Sequence, residues 1–386
     1  MDNFSHPQFR SVSSASNPSL SSSSTNISRV ASGPIMALNM SMNKTSSVED
    51  HMFYKCKVLI KRLASIKGMP PYIVLAQSAA ERCAEQQALA LSQQLQQPDG
   101  GSPAAFRSSM GSGGFSIYSD NSTSSFPNVT APSTNNIFTF TAGVLPASLS
   151  SDPATQLWKL FQQGVPLCLI FNAIKPEHAI PIQDGDELRV CKKAVYDFVV
   201  AVKTHLTIDD ESMFTISNVF SDNTHDLLKI INFVSTLLDS YNISRQDESQ
   251  DKITSEIADL KITDDRSKVF KELIQTERKY ISDLELLLKY RNELQAADVL
   301  SSEQLHVLFP NLSDVIDFHR RLLCGFECNI DVPTKYQRIG SVFIHASNGP
   351  FRAYEPWTIG QIGAIELINR ESANLKKASS LIDPGI

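Results

Sequence analysis

Between Leu149 and Asp239 the apolar side chains recur at three- and four-residue steps in four separable segments, a spacing that commits this stretch to helices around a common core. The first segment opens with Ser151-Asp152-Pro153, a capping residue followed by proline in the first turn. It runs through Leu157, Trp158, Leu160 and Phe161 to Gly164, which suits a helix C-terminus. Val165 to Ile174 is apolar almost throughout, as befits a helix buried on most of its surface, and Pro176 stops it. A longer stripe, from Leu188 through Cys191, Val195, Phe198 and Val202, predicts a helix ending near His205, and Thr224 to Leu238 repeats the pattern. Met213 to Phe220 reads equally as a short helix or an extended piece. Trp158, Phe161, Leu169 and Phe198 are the expected core residues.

The rest of the chain divides by composition. Residues 1–48 are rich in Ser, Asn and Thr and poor in large apolar side chains, too few to offset the entropy of ordering a backbone, which predicts a disordered leader. Residues 49–97 read as an N-terminal helical region, in which the apolar stripe from Tyr72 to Gln97 is ragged, and 98–138 read as a flexible linker. Its Gly111-Ser112-Gly113-Gly114 run lacks the Lys-Ser/Thr ending of a phosphate loop. The helical domain proper is placed at 139–240, a charged linker at 241–263, and a further helical unit at 264–386.

A formal charge of -6, from 35 basic and 41 acidic residues, offers no basic surface for a nucleic acid. No stretch reaches the roughly 20 apolar residues of a transmembrane helix, so the expectation is a soluble, intracellular chain. In that setting Cys56, Cys83, Cys168, Cys191, Cys324 and Cys328 are expected to be reduced thiols. His319, Cys324 and Cys328 lie close in sequence without the spacing of a zinc site, and Asp184-Gly185-Asp186-Glu187 lacks the ligands of a calcium loop. Neither HExxH nor GxSxG occurs. No metal, cofactor or covalent chemistry is therefore expected.

From Asp264 a second pattern begins. Phe270, Ile274, Ile281 and Leu288 form one helical line, with Val269, Leu273, Tyr280, Leu284 and Leu287 beside it; Leu273 and Leu284 are expected in the core. Glu277 falls within the first line, where an unpaired carboxylate costs several kcal/mol of desolvation. Either the stripe surfaces at Glu277 or the carboxylate meets a partner. Adjacent Arg278 is a poor one, because neighbouring residues on a helix point in different directions. Ser302-Glu303-Gln304 then caps a helix through Leu305, Leu308 and Phe309, and Val315 to Leu323 continues as another.

The string LWKLFQQGVPLCLIFNAIKP, Leu157 to Pro176, resembles the opening of a calponin-homology domain. DDRSKVFKELIQTERKYISDLELLLKY, Asp264 to Tyr290, closely resembles the first conserved helix of a Dbl-homology exchange domain, with Arg266, Glu272-Leu273, Thr276-Glu277, Tyr280 and Asp283-Leu284 in register. Pro350-Phe351-x-x-Tyr354 resembles the segment after that family's second conserved region. In this order the two domains resemble the fungal cell-polarity Rho-type guanine nucleotide exchange factors. The resemblance implies an all-α fold, a calponin-homology helical domain followed by the N-terminal part of an elongated Dbl-homology bundle. It implies a regulator that promotes GDP release and GTP loading on a Rho-family GTPase, with Glu277, Thr276 and Tyr280 on the GTPase and Glu277 on its first switch. Polarity scaffolds are further partners it implies, as are a Ras-like GTPase and a heterotrimeric G-protein subunit, with recruitment from the cytoplasm to the cell cortex. The family's third conserved helix is expected after Leu375, but the sequence ends at Ile386, so exchange by this chain is expected to be weak or lost. The alternative is a non-catalytic helical adaptor binding GTPases or polarity scaffolds.

Overall fold

The computed structural model describes residues 51–96, 152–183, 185–209, 212–243, 265–347 and 350–378, which are built from α-helices and short 3-10 turns without a strand among them. The expected leader, the whole of the 98–138 linker and most of the 241–263 linker lie outside the described residues.

Helix α1 (Met52–Ala64) buries Met52, Phe53, Cys56, Leu59 and Leu63 along one stripe. Helix α2 (Pro70–Gln96) starts at a Pro pair and lies along α3 (Pro153–Gln162). Its buried line is Ala76, Ala80 and Ala84, small side chains at four-residue steps, which is why the sequence shows no strong stripe of large residues there. Asp152 caps α3, accepting from the Thr155 amide at 2.7 Å and the Thr155 hydroxyl at 2.6 Å.

Gly164 turns the chain from α3 into α4 (Val165–Ile174) with φ +75°. A Cβ there would lie 2.4 Å from the Cys191 carbonyl oxygen and 2.8 Å from the Ala194 Cβ, so only glycine lets this corner approach α5 (Leu188–His205). Met213 to Phe220, open on sequence, contains a short helix, α6 (Ile216–Val219), fixed by a reciprocal cap between Thr215 and Asn218. Helix α7 (Thr224–Ser240), capped by Asn223, completes this half.

Trp158, Phe161 and Phe198 are buried as expected, in a core that also takes in α1 and the first turns of α2. The indole N–H of Trp158 donates to the Ser221 carbonyl at 3.0 Å. Leu169 departs from expectation: Leu167, Ile170 and Phe171 face the centre, whereas Leu169 lies on the opposite side of α4 and is half-buried against Gly68. Ile170→Ala is therefore expected to cost about 2–5 kcal/mol and Leu169→Ala clearly less. Equal shifts of the two urea midpoints would contradict that placement.

The second half runs from α8 (Asp265–Ala296) through α9 (Ser302–Leu308), α10 (Leu312–Asp331), α11 (Ile339–Ser347) and α12 (Tyr354–Arg370) to α13 (Ser372–Ala378). Ser301, one residue earlier than the sequence suggested, caps α9 in a reciprocal pair with Gln304. Leu284 is buried with Leu294, Leu305 and Val315, whereas Leu273 is only half-buried, at the edge of the cluster formed by Ile274, Ile281, Phe318 and Leu322. The helix turns Leu273 away from α10 by one position relative to Ile274.

Helix α10 serves both halves. Its Asp317 accepts from the Thr224 amide at 2.6 Å, Arg321 donates to the Asp222 carbonyl, and Asp331 pairs with Lys57 at 2.9 Å. Cys324 and Cys328 on the same side enter the core built on α1, α3 and α7.

Candidate functional site

Helix α8 lies along α10, holding Ile274 and Ile281 against Phe318, Leu322, Leu323 and Phe326. Glu277 stands one turn from each of those isoleucines, so it faces the same neighbour. On α10 the residue that meets it is His319, whose Nδ1 lies 2.5 Å from Glu277 Oε1. The two side chains are 8% and 14% exposed, His319 the more buried. His319 Nε2 is 2.5 Å from the hydroxyl of Tyr354, the first residue of α12, and that hydroxyl is 2.9 Å from the Tyr280 hydroxyl. The rings pack edge to face, Tyr280 with its centroid 4.7 Å from His319 and Tyr354 5.6 Å from it. Burial pushes the Tyr354 hydroxyl well above the usual phenol range, and its bond to Tyr280 and the nearby Tyr280 and Glu277 add to that, so Tyr354 keeps its proton.

Two of the three residues singled out on sequence thus share one cluster: Glu277 at its inner end and Tyr280, 37% exposed, at its rim. Thr276 is exposed beside them, and its hydroxyl donates to the Glu272 and Leu273 carbonyls at 2.9 Å each. Glu277 has a partner, but not Arg278. Arg278 reaches the other way, donating through Nε at 3.0 Å and Nη2 at 2.6 Å to Oε1 of Glu327, which is 5% exposed. Burial raises the Glu327 carboxyl above its usual range, with Arg278 and then Lys57 opposing, and its Oε2 is buried without a hydrogen bond.

Sequence reasoning missed His319 and Tyr354 as members of this site. A signal for His319 exists: like Glu277, it is one ionisable side chain on an otherwise apolar helix face, here Val315, Ile316, Leu322 and Leu323. Its sequence neighbours Cys324 and Cys328 face the other half, away from the imidazole. Among the described residues no group of three His, Cys, Asp or Glu side chains is arranged to hold a metal ion, and no helix is long and apolar enough to cross a membrane.

Comparison with known proteins places both halves. Residues 152–238 match the CDC24 Calponin family model and residues 269–383 the RhoGEF domain model. Cell division control protein 24 of Saccharomyces cerevisiae is 39% identical over 355 residues, covering 85% of this chain and 41% of the relative. Rho guanine nucleotide exchange factor scd1 of Schizosaccharomyces pombe is 31% identical over 244 residues, 60% of this chain and 28% of the relative. Human Rho guanine nucleotide exchange factor 7 is 27% identical over 125 residues, 31% of this chain and 15% of that protein. The chain thus spans less than half the length of these relatives, and no solved structure matches it. The chain thus carries a CDC24 calponin domain at residues 152–238, followed by a RhoGEF domain at residues 269–383.

Proposed function

We propose that this chain promotes nucleotide exchange on a Rho-family GTPase that controls cell polarity, through the α8 surface bearing Thr276, Glu277 and Tyr280. The observation that carries this reading is the position of Glu277. It falls within the RhoGEF match, its side chain still 14% exposed, with Oε1 anchored and Oε2 making no hydrogen bond among the described residues. A carboxylate so placed offers a charge-assisted contact to a switch segment of the GTPase. Exchange then needs no covalent step. A surface that binds the nucleotide-free GTPase better than the GDP-loaded one must, by linkage, weaken GDP binding to the same degree. In this reading the calponin helices receive further partners, polarity scaffolds, a Ras-like GTPase or a heterotrimeric G-protein subunit, and bring the chain to the cell cortex. The same reading divides the chain into a leader, an N-terminal helical region, a calponin-homology domain and an exchange domain joined by linkers.

The test is a comparison of affinities for one Rho-type GTPase, emptied of nucleotide and loaded with GDP. The chain is expected to prefer the empty form. Glu277→Ala is expected to remove about 1.5–3 kcal/mol of that preference, roughly tenfold to hundredfold, if the contact forms only in the empty complex. Release of fluorescent GDP, measured with this chain and with one extended to the length of its relatives, should follow the same order. Equal affinity for both forms would favour a non-catalytic adaptor, and full activity of a folded Glu277→Ala protein would remove Glu277 from the contact.

A further inference from the structure

The cluster behind Glu277 has a direction. A carboxylate only accepts hydrogen bonds, so the 2.5 Å contact requires His319 to carry its proton on Nδ1. In the neutral ring Nε2 is then an acceptor, and the group facing it is the Tyr354 hydroxyl, which donates. With its proton so used, the Tyr354 oxygen accepts from Tyr280 at 2.9 Å. Each donor from Tyr280 to Tyr354 to His319 points inward, and the last of them meets Glu277. The ring is 8% exposed and wedged edge-on between Tyr280, Phe318 and Tyr354, so it has little room to rotate.

We infer that His319 is the positioning residue for Glu277, holding Oε1 through Nδ1–H so that Oε2 is presented outward, and that Tyr354 sets the His319 tautomer. This rests on the exchange reading for its consequence, the GTPase contact, but not for its geometry. A free glutamate side chain distributes over several rotamers, and a contact made by one of them loses affinity in proportion to that rotamer's population. A carboxylate already held in place avoids that loss. His319 touches nothing beyond the bundle and acts only through the group it holds.

The experiment has two arms on the whole chain. In the first, nitrogen NMR of the imidazole rings, with His319 assigned by substitution, reads the tautomer. The expected result is Nδ1–H with a slowly exchanging ring proton, whose protection disappears in Glu277→Ala and whose tautomer becomes mixed in Tyr354→Phe. An Nε2–H ring would overturn the inference.

The second arm measures affinity for a nucleotide-free Rho-type GTPase, with circular dichroism melts for every variant. His319→Leu is expected to weaken binding about tenfold, within the range of one charge-assisted hydrogen bond, but to change little when Glu277 is already Ala. His319→Asn places an amide N–H where Nδ1 stood and should recover most of the loss. His319→Gln reaches only the Nε2 position and should not. A loss of the same size in the Glu277→Ala background, or equal recovery by Gln, would show a merely structural histidine. If the unaltered chain does not distinguish the empty from the GDP-loaded GTPase, the exchange reading itself falls and the positioning role with it, whatever the first arm shows about the ring.

Discussion

Phe198→Ala is expected to lower the unfolding free energy by about 3–5 kcal/mol. The ring is fully buried and sits at the meeting point of three elements. Phe214 stacks on it at 5.9 Å between centroids, and Phe233 of α7 meets it edge-on at 6.5 Å. Phe214 and Phe233 in turn contact each other at 5.3 Å. Removing one ring of such a triangle leaves a void bordered by two others, each already engaged and unable to collapse far into it. Phe198→Leu keeps much of the volume and should cost considerably less. Urea unfolding followed by far-ultraviolet circular dichroism measures both, and an unchanged midpoint for Phe198→Ala would show that the triangle is not the centre of that core.

Arg278→Ala is expected to destabilise the protein by about 3–5 kcal/mol, because it leaves the Glu327 carboxylate buried without its cation. The loss measures abandonment of a charge, not the worth of the pair, so Glu327→Gln should be close to neutral and should abolish most of the penalty of Arg278→Ala in the double variant. The pH dependence follows from the raised Glu327 carboxyl. Above its ordinary value of 4.5 the unfolded chain has released this proton while the folded chain still holds it. Stability from this group therefore falls as pH rises from that value through the raised one, and levels off beyond it. Arg278→Ala widens the falling window, since the opposing cation is gone. Glu327→Gln removes it. Thermal melts across this range would show a slope that persists in Glu327→Gln if some other group is responsible.

Much of the fold was legible because helices announce themselves through spacing. The stripes in α5, α7 and α8 and the cap at Asp152 are local signals, complete within a turn or two of sequence. The reading weakened where the buried face is made of small residues, as in the alanine line of α2, and where only the docking partner decides which of two neighbouring residues turns inward, as with Leu169 and Ile170. The site divides the same way. Glu277 stood out because a carboxylate on an apolar stripe demands an explanation, yet its partner lies 42 residues away on a different helix. The contacts that join the halves, Asp317 to Thr224 and Arg321 to Asp222, are made by ordinary polar residues and leave no periodic trace.

The double duty of α10 makes the junction between the halves observable by chemistry. Cys56, Cys324 and Cys328 are buried, and their thiols are pushed well up, first by burial and then by carboxylates such as Asp152 and Glu327. A thiol in that state is nearly inert to alkylating reagents, which attack the thiolate. It becomes reactive only when the two sets of helices part, because Cys324 and Cys328 are covered by the core of the other half. Labelling rates at Cys324 and Cys328 would therefore time the separation of the halves without an added probe. An iodoacetamide series, with and without a bound GTPase, would report whether engagement at the α8 surface loosens or tightens this junction.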